Sequence, residues 1–103
     1  MKDITCEELA VLRSGESYYL VWYSAYWCGP CQRMDKAALD ATATEIGVPF
    51  YYADCGKHED LINESITSFP TFVLYLGPLA VATRNSSDTT KVCQWLKKIT
   101  LNK

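Results

Sequence analysis

The residues best suited to chemistry in this chain are the two cysteines of Trp27-Cys28-Gly29-Pro30-Cys31. Two thiols separated by two residues can close a small disulfide ring and reopen it, which is dithiol–disulfide exchange. Zinc sites use the same spacing, so the remaining ligand types have to be weighed. A structural zinc site needs two more ligands, and His58, Cys6, Cys55 and Cys93 form no second CxxC or CxxH. Redox chemistry is the reading, and no metal is expected. A second landmark is Phe69-Pro70-Thr71-Phe72, a proline at the head of an apolar run.

The surrounding sequence must place these residues. Tyr18 to Tyr23 is a nearly continuous aromatic and apolar run, suited to a strand buried on both faces. Helix formers then extend from Gly29 to about Ile46, with Met34, Ala37, Ala38, Ala41 and Glu45 at helical spacings, until Gly47 stops them. Val48 to Ala53 reads as the next strand, giving a β-α-β unit with parallel pairing and a right-handed crossover. The dithiol thus falls where a strand hands over to a helix. Asp3 to Arg13 reads as a short first helix closed by Ser14-Gly15, and Glu59 to Ile66 as another. Thr71 to Leu76 and Leu79 to Arg84, parted only by Gly77-Pro78, predict an antiparallel hairpin. Ser86 or Ser87 is placed to cap a final helix whose apolar face is Val92, Trp95, Leu96 and Ile99.

Within that frame the two thiols differ. A thiolate, not a thiol, attacks a disulfide. Cys28 precedes the helix opened by Gly29-Pro30, where free backbone N–H groups and the helix dipole favour negative charge. Pro30 suits a first helical turn because its missing N–H is no loss there. Cys28 is the expected nucleophile, and Cys31, one turn in, the resolving thiol.

Composition bounds what else the chain can be. Its 103 residues support one compact domain, 1–103, and its 49% apolar share is ample for a core. Twelve acids against ten basic residues leave a formal charge of −2, with no basic run to grip nucleic acid. The longest apolar stretch, Phe69 to Ala82, is broken by Pro70, Gly77 and Pro78, too short and interrupted to span a membrane. The first residues, Met1-Lys2-Asp3-Ile4-Thr5-Cys6, lack the apolar core and cleavage site of a secretory signal. With Met1 as the start, a cytoplasmic protein is expected. Its five cysteines would there be mainly thiols, favouring a reversible pair over a disulfide framework.

WCGPC followed by Phe69-Pro70-Thr71 resembles the thioredoxin family, and the resemblance runs over nearly the whole chain. It implies an α/β thioredoxin fold, a central mixed β-sheet of about four strands flanked by about four helices. It also implies a cis bond between Phe69 and Pro70, with Trp27, Gly29, Pro30, Phe69 and Pro70 lining a shallow apolar substrate groove. The implied function is a protein-disulfide reductase that carries electrons on its own dithiol, without a cofactor. Protein disulfides would be its substrates, an NADPH-linked thioredoxin reductase its donor, and a monomer its state. The alternative is a binding or processivity module on the same fold, for which the cysteines are dispensable.

Four positions depart from the family around the site. The buried aspartate usual six residues before the first cysteine is Trp22, and its lysine partner on the next strand is Phe50 or Tyr51. The helix-kinking proline five residues after the second cysteine is Lys36, which implies a straighter helix. A glycine bordering the groove is Ser86. Without the acid, Cys31 is expected to lose its proton to water or to the departing thiolate. Asp35 and Lys36 read as a solvated pair, His58 as solvated, and Trp22, Trp95 and most tyrosines as packing. Cys55 matches an accessory cysteine of some animal thioredoxins but reads as a bystander thiol; Cys6 and Cys93 read as structural.

Overall fold

In a computed structural model, which describes residues 1–63 and 66–100, the chain builds one mixed sheet with helices on both faces. The strands are β1 (Lys2–Asp3), β2 (Tyr18–Ser24), β3 (Phe50–Asp54), β4 (Thr71–Leu76) and β5 (Leu79–Asn85). The helices are α1 (Cys6–Arg13), α2 (Gly29–Gln32), α3 (Lys36–Ile46) and α4 (Thr89–Thr100). Strand order is β1-β3-β2-β4-β5. β3 is parallel to β1 and β2, whereas β4 is antiparallel to β2 and β5. Among the described residues no helix is long and apolar enough to cross a membrane.

β2 is central and buried on both faces because both of its side-chain sets are apolar. Leu20 and Trp22 join Phe50, Phe72 and Leu74 beneath Leu39 and Ala43 of α3 and Val92 and Leu96 of α4. Tyr19, Val21 and Tyr23 join Ala53, Val73 and Tyr75 on the face that receives Leu9 of α1 and Leu61. On that face the Tyr23 and Tyr75 hydroxyls, 2.6 Å apart, satisfy each other inside the core.

The structure departs from the sequence expectations in five places. A fifth strand exists: Lys2 and Asp3 pair with Tyr51 and Tyr52. Two exposed charged residues carry no alternating pattern, so nothing in the sequence marks them as β. The first helix accordingly starts at Cys6, not Asp3, where Thr5 and Glu8 form a reciprocal capping box.

Between Glu59 and Ile66 only Glu59–Leu61 is helical, as a single 3-10 turn; Ile62 is already extended, and 64–65 lie outside the described residues. At the final helix, Asp88 supplies the cap in place of Ser86 or Ser87, its Oδ1 accepting the Lys91 N–H at 3.1 Å. Ser86 instead accepts the Asp88 N–H through its hydroxyl at 3.2 Å. A carboxylate at the N-cap also gains from the helix dipole, which the hydroxyls do not.

The fifth departure concerns the helix behind the dithiol. Lys36 does not leave it straight; the helix stops at Gln32 and restarts at Lys36. Asp35 causes the break. Its backbone is extended, its Oδ1 accepts the Ala38 N–H at 3.0 Å, and its own N–H donates to Thr89 Oγ1 at 3.0 Å. An aspartate that caps a new helix cannot also continue an old one. α3 then ends at Gly47, whose φ of 72° closes it in the left-handed region open to glycine.

Candidate active site

Cys28 and Cys31 face each other across one turn. Cys28 is the extended N-cap of α2, and Cys31 is the third residue of that helix. Their Cα atoms are 5.3 Å apart and the two sulfurs are joined as a disulfide. The backbone N–H of Cys31 points at Cys28 Sγ, 3.3 Å away. That donor would hold a thiolate on Cys28 once the ring opens. α2 is a single turn, so the donor at hand is this local N–H rather than the end of a long helix.

Exposure separates the two sulfurs. Cys28 retains 7% of its surface and Cys31 none, so an incoming disulfide can reach Cys28 alone. Gly29 and Pro30 are exposed beside it, with Pro30 in the first helical turn. Trp27 is 61% exposed, and its ring stands edge-on to Phe69, with centroids 5.7 Å apart. The Phe69–Pro70 bond is cis. Residues distant in sequence, Trp27 and Phe69, therefore share one apolar surface close to the ring.

Beneath the dithiol the space of the missing acid is occupied. Trp22 is fully buried, stacked on Phe50 and Phe72 at 6.4 and 5.4 Å and edge-on to Tyr52 at 5.0 Å. Phe50, not Tyr51, is the residue facing Trp22; Tyr51 packs toward the other side of the sheet. The Trp22 indole N–H has no hydrogen-bond partner among the described residues. The buried polar residues described are Ser24, Thr42 and Thr71, none of them acidic.

Polar contacts rim this aromatic cluster. Gln32 Nε2 donates to the Ala25 carbonyl at 3.0 Å and reaches the Tyr52 hydroxyl at 3.3 Å, which in turn donates to Ser24 Oγ. The Lys36 ammonium lies 5.3 Å from the centre of the Tyr52 ring. Asp35 and Lys36 are exposed, yet each has a specific partner, a cap and a ring, rather than solvent alone.

The remaining cysteines stand apart from the ring. Cys6, Cys55 and Cys93 are all outside any disulfide. Cys55 is buried, and desolvation, then the Asp54 carboxylate, pushes its thiol up to about 11. Such a group is not poised to react. Cys6 and Cys93 are half-buried with their sulfurs near the carbonyls of Asp60 and Ala38. His58 is exposed before the 3-10 turn and makes no capping bond with its side chain. Among the described residues no three His, Cys, Asp or Glu side chains gather to hold a metal.

Residues 7–98 match the family model for thioredoxin. The chain belongs to the thioredoxin family. With Cys28 and Cys31 joined in the family's CxxC arrangement, it is a thiol–disulfide oxidoreductase. A thioredoxin of Geodia cydonium is 30% identical over 74 residues, covering 71% of this chain and 70% of that one. Thioredoxin 1 of Plasmodium falciparum is 29% identical over 100 residues, 95% of this chain and 96% of the other. Solved structures agree on the fold. A Plasmodium falciparum thioredoxin superposes with a TM-score of 0.81 at 26% identity, covering 95% of this chain and 98% of that one. A Fasciola hepatica thioredoxin gives 0.78 at 27%, with the same coverage.

A further aromatic residue lies beside the motif. Tyr26 is as exposed as Trp27, at 61%. Its mark in the sequence is a large aromatic side chain directly before Trp27.

Proposed function

We propose that this thioredoxin-family protein is a reducing member that draws its electrons from an NADPH-linked thioredoxin reductase and works as a monomer in the cytoplasm. The observation that carries the reading is the asymmetry of the pair. Cys28 alone is reachable, and it receives the Cys31 N–H. The Cys28 thiolate attacks a protein disulfide, forming a mixed disulfide and releasing one substrate thiolate, which takes a proton from water. Cys31 then gives up its proton and attacks Cys28, and the second substrate thiol leaves. The substrate disulfide is reduced by two electrons, and the protein dithiol is oxidised to the ring. Trp27, Gly29, Pro30, Phe69 and Pro70 form the surface along which the substrate backbone lies.

Gly-Pro between the cysteines supports the reducing direction, and a dithiol that must be kept reduced suits a reducing compartment. The test is reduction of insulin with dithiothreitol as donor, using the wild-type protein and Cys28→Ser. Acceleration by the first and none by the second is expected. Replacing dithiothreitol with NADPH and a thioredoxin reductase then tests the donor. Activity surviving Cys28→Ser would overturn the assignment of the nucleophile.

A further inference from the structure

Tyr26 and Trp27 form a pair of exposed rings whose position is set from below. Both rest on Gly56. A Cβ on that glycine would lie 2.8 Å from Tyr26 Cδ1 and 2.9 Å from Trp27 Nε1, closer than real carbon contacts allow. One carboxylate oxygen binds the two loops together. Asp54 Oδ1 accepts the N–H groups of Tyr26 at 3.2 Å, Gly56 at 3.0 Å and Lys57 at 3.2 Å. The turn is secured further by Cys55 N–H on the Ser24 carbonyl at 2.8 Å and His58 N–H on the Asp54 carbonyl at 2.9 Å. Both aromatic side chains nevertheless keep 61% of their surface in solvent. Two large rings seated on one glycine and left uncovered offer a partner apolar area on a backbone already fixed beneath them.

We propose that Tyr26, with Trp27, forms an aromatic shelf that selects protein disulfides flanked by apolar or aromatic side chains. One observation points to that occupant. The shelf continues the apolar surface at the dithiol, because the Trp27 ring also meets Phe69. A flat apolar side chain beside the substrate cysteine would cover both rings while its sulfur meets Cys28. The inference rests on disulfide exchange at Cys28, and it makes Tyr26 a specificity-determining residue for that reaction.

The experiment uses peptides of one sequence carrying Trp, Arg or Ser on both sides of a cysteine held as a mixed disulfide with 2-nitro-5-thiobenzoate. Cys28 thiolate attacks the peptide sulfur, and the coloured aromatic thiolate leaves because it is the better leaving group. Cys31 then displaces the peptide thiol, so one mixed disulfide becomes two thiols and the protein dithiol becomes a disulfide. Reduced wild-type protein is expected to favour the Trp peptide over the Ser peptide by about fivefold, the scale of an aromatic contact. Tyr26→Ser should shrink that ratio to about twofold or less, losing most of the stacking contribution. Gly56→Ala, which displaces both rings without removing either, should lower it in the same direction, while Tyr26→Phe should retain it.

Each ratio is taken on one sample with one Cys28, so changes in thiol reactivity or folded fraction cancel. Equal rates for the Trp and Ser peptides, or a ratio indifferent to Tyr26→Ser, would overturn the shelf and leave disulfide exchange standing. Preference for the Arg peptide would overturn the apolar assignment. Reduction of no peptide would overturn the exchange reading, and the shelf with it.

Discussion

The backbone N–H of Asp35 donates to the side-chain oxygen of Thr89, 3.0 Å away and 54 residues along the chain. This bond ties the break between α2 and α3 to the first residue of α4. The short helix bearing the dithiol is thus set by a tertiary contact as well as by its own turn.

Removing either end of that tie should loosen the break. Asp35→Ala deletes the cap on α3 and should cost about 1 kcal/mol, within the usual range for N-caps. Thr89→Val leaves the Asp35 N–H without its acceptor and should cost about the same. Because both variants disturb one junction, the double variant should lose less than the sum in urea denaturation. Strict additivity would show that the two contacts act independently.

Trp22 fills its site by shape rather than by polarity. Trp22→Phe keeps a ring between Phe50 and Phe72 and deletes an unpartnered N–H, so its net cost should stay below about 2 kcal/mol. Trp22→Ala should cost about 4 kcal/mol, as large aromatic truncations do. Trp22→Asp, which restores the family's residue type, should be destabilised further as pH rises. Burial lifts the aspartate's folded pKa above its unfolded one, so the charge penalty is absent at low pH and grows through that interval. Urea midpoints at acidic and neutral pH measure this; a pH-independent loss would contradict it.

No buried carboxylate stands near Cys31 among the described residues. Resolution of the mixed disulfide should therefore follow the ionisation of Cys31 alone. Its rate should rise about tenfold per pH unit below that thiol's pKa, because only the thiolate reacts. Rapid mixing followed by acid quench gives the profile. A second ionisation on the rising limb would reveal a proton acceptor in the protein.

Cys55 links stability to alkaline pH. Its folded thiol is pushed up to about 11, from an ordinary value of 9.0, chiefly by desolvation. The unfolded chain releases this proton first, so the contribution is intact below about 9 and is lost as pH rises toward about 11. Burial raises Tyr23 and Tyr19 as well, adding the same sign of dependence from their ordinary value of 10.0 upward. Cys55→Ala should show a shallower decline in urea midpoint between pH 8 and pH 10.5. Cys55 should also be alkylated last of the three cysteines outside the disulfide. Equal slopes in the two proteins would argue against this linkage.

Much of the fold is legible in local patterns. Tyr18–Ser24 is apolar on both faces, and Gly77-Pro78 between two strand-like runs leaves little choice but a hairpin. Lys2–Asp3 was not legible, because a two-residue edge strand takes its pairing from Tyr51 and Tyr52 and has no pattern of its own. The break at Asp35 was half-legible. Aspartate is a good cap, but a run of helix formers hides one until a partner such as Thr89 occupies its N–H.

At the site the division follows from the range of the interactions involved. Cys28 and Cys31 need only three residues of chain to meet, so their spacing alone determined a ring-closing pair and the kind of chemistry available. The WCGPC and Phe-Pro-Thr motifs likewise determined the family. Which sulfur is reachable is a matter of burial, and burial sums contributions from every element that packs around the turn. The same holds for Trp22, whose three aromatic partners come from two other strands, and for Tyr26, whose exposure depends on Gly56 and Asp54 beyond α3. Those properties were decided by tertiary structure, because no local stretch of chain contains the atoms that set them.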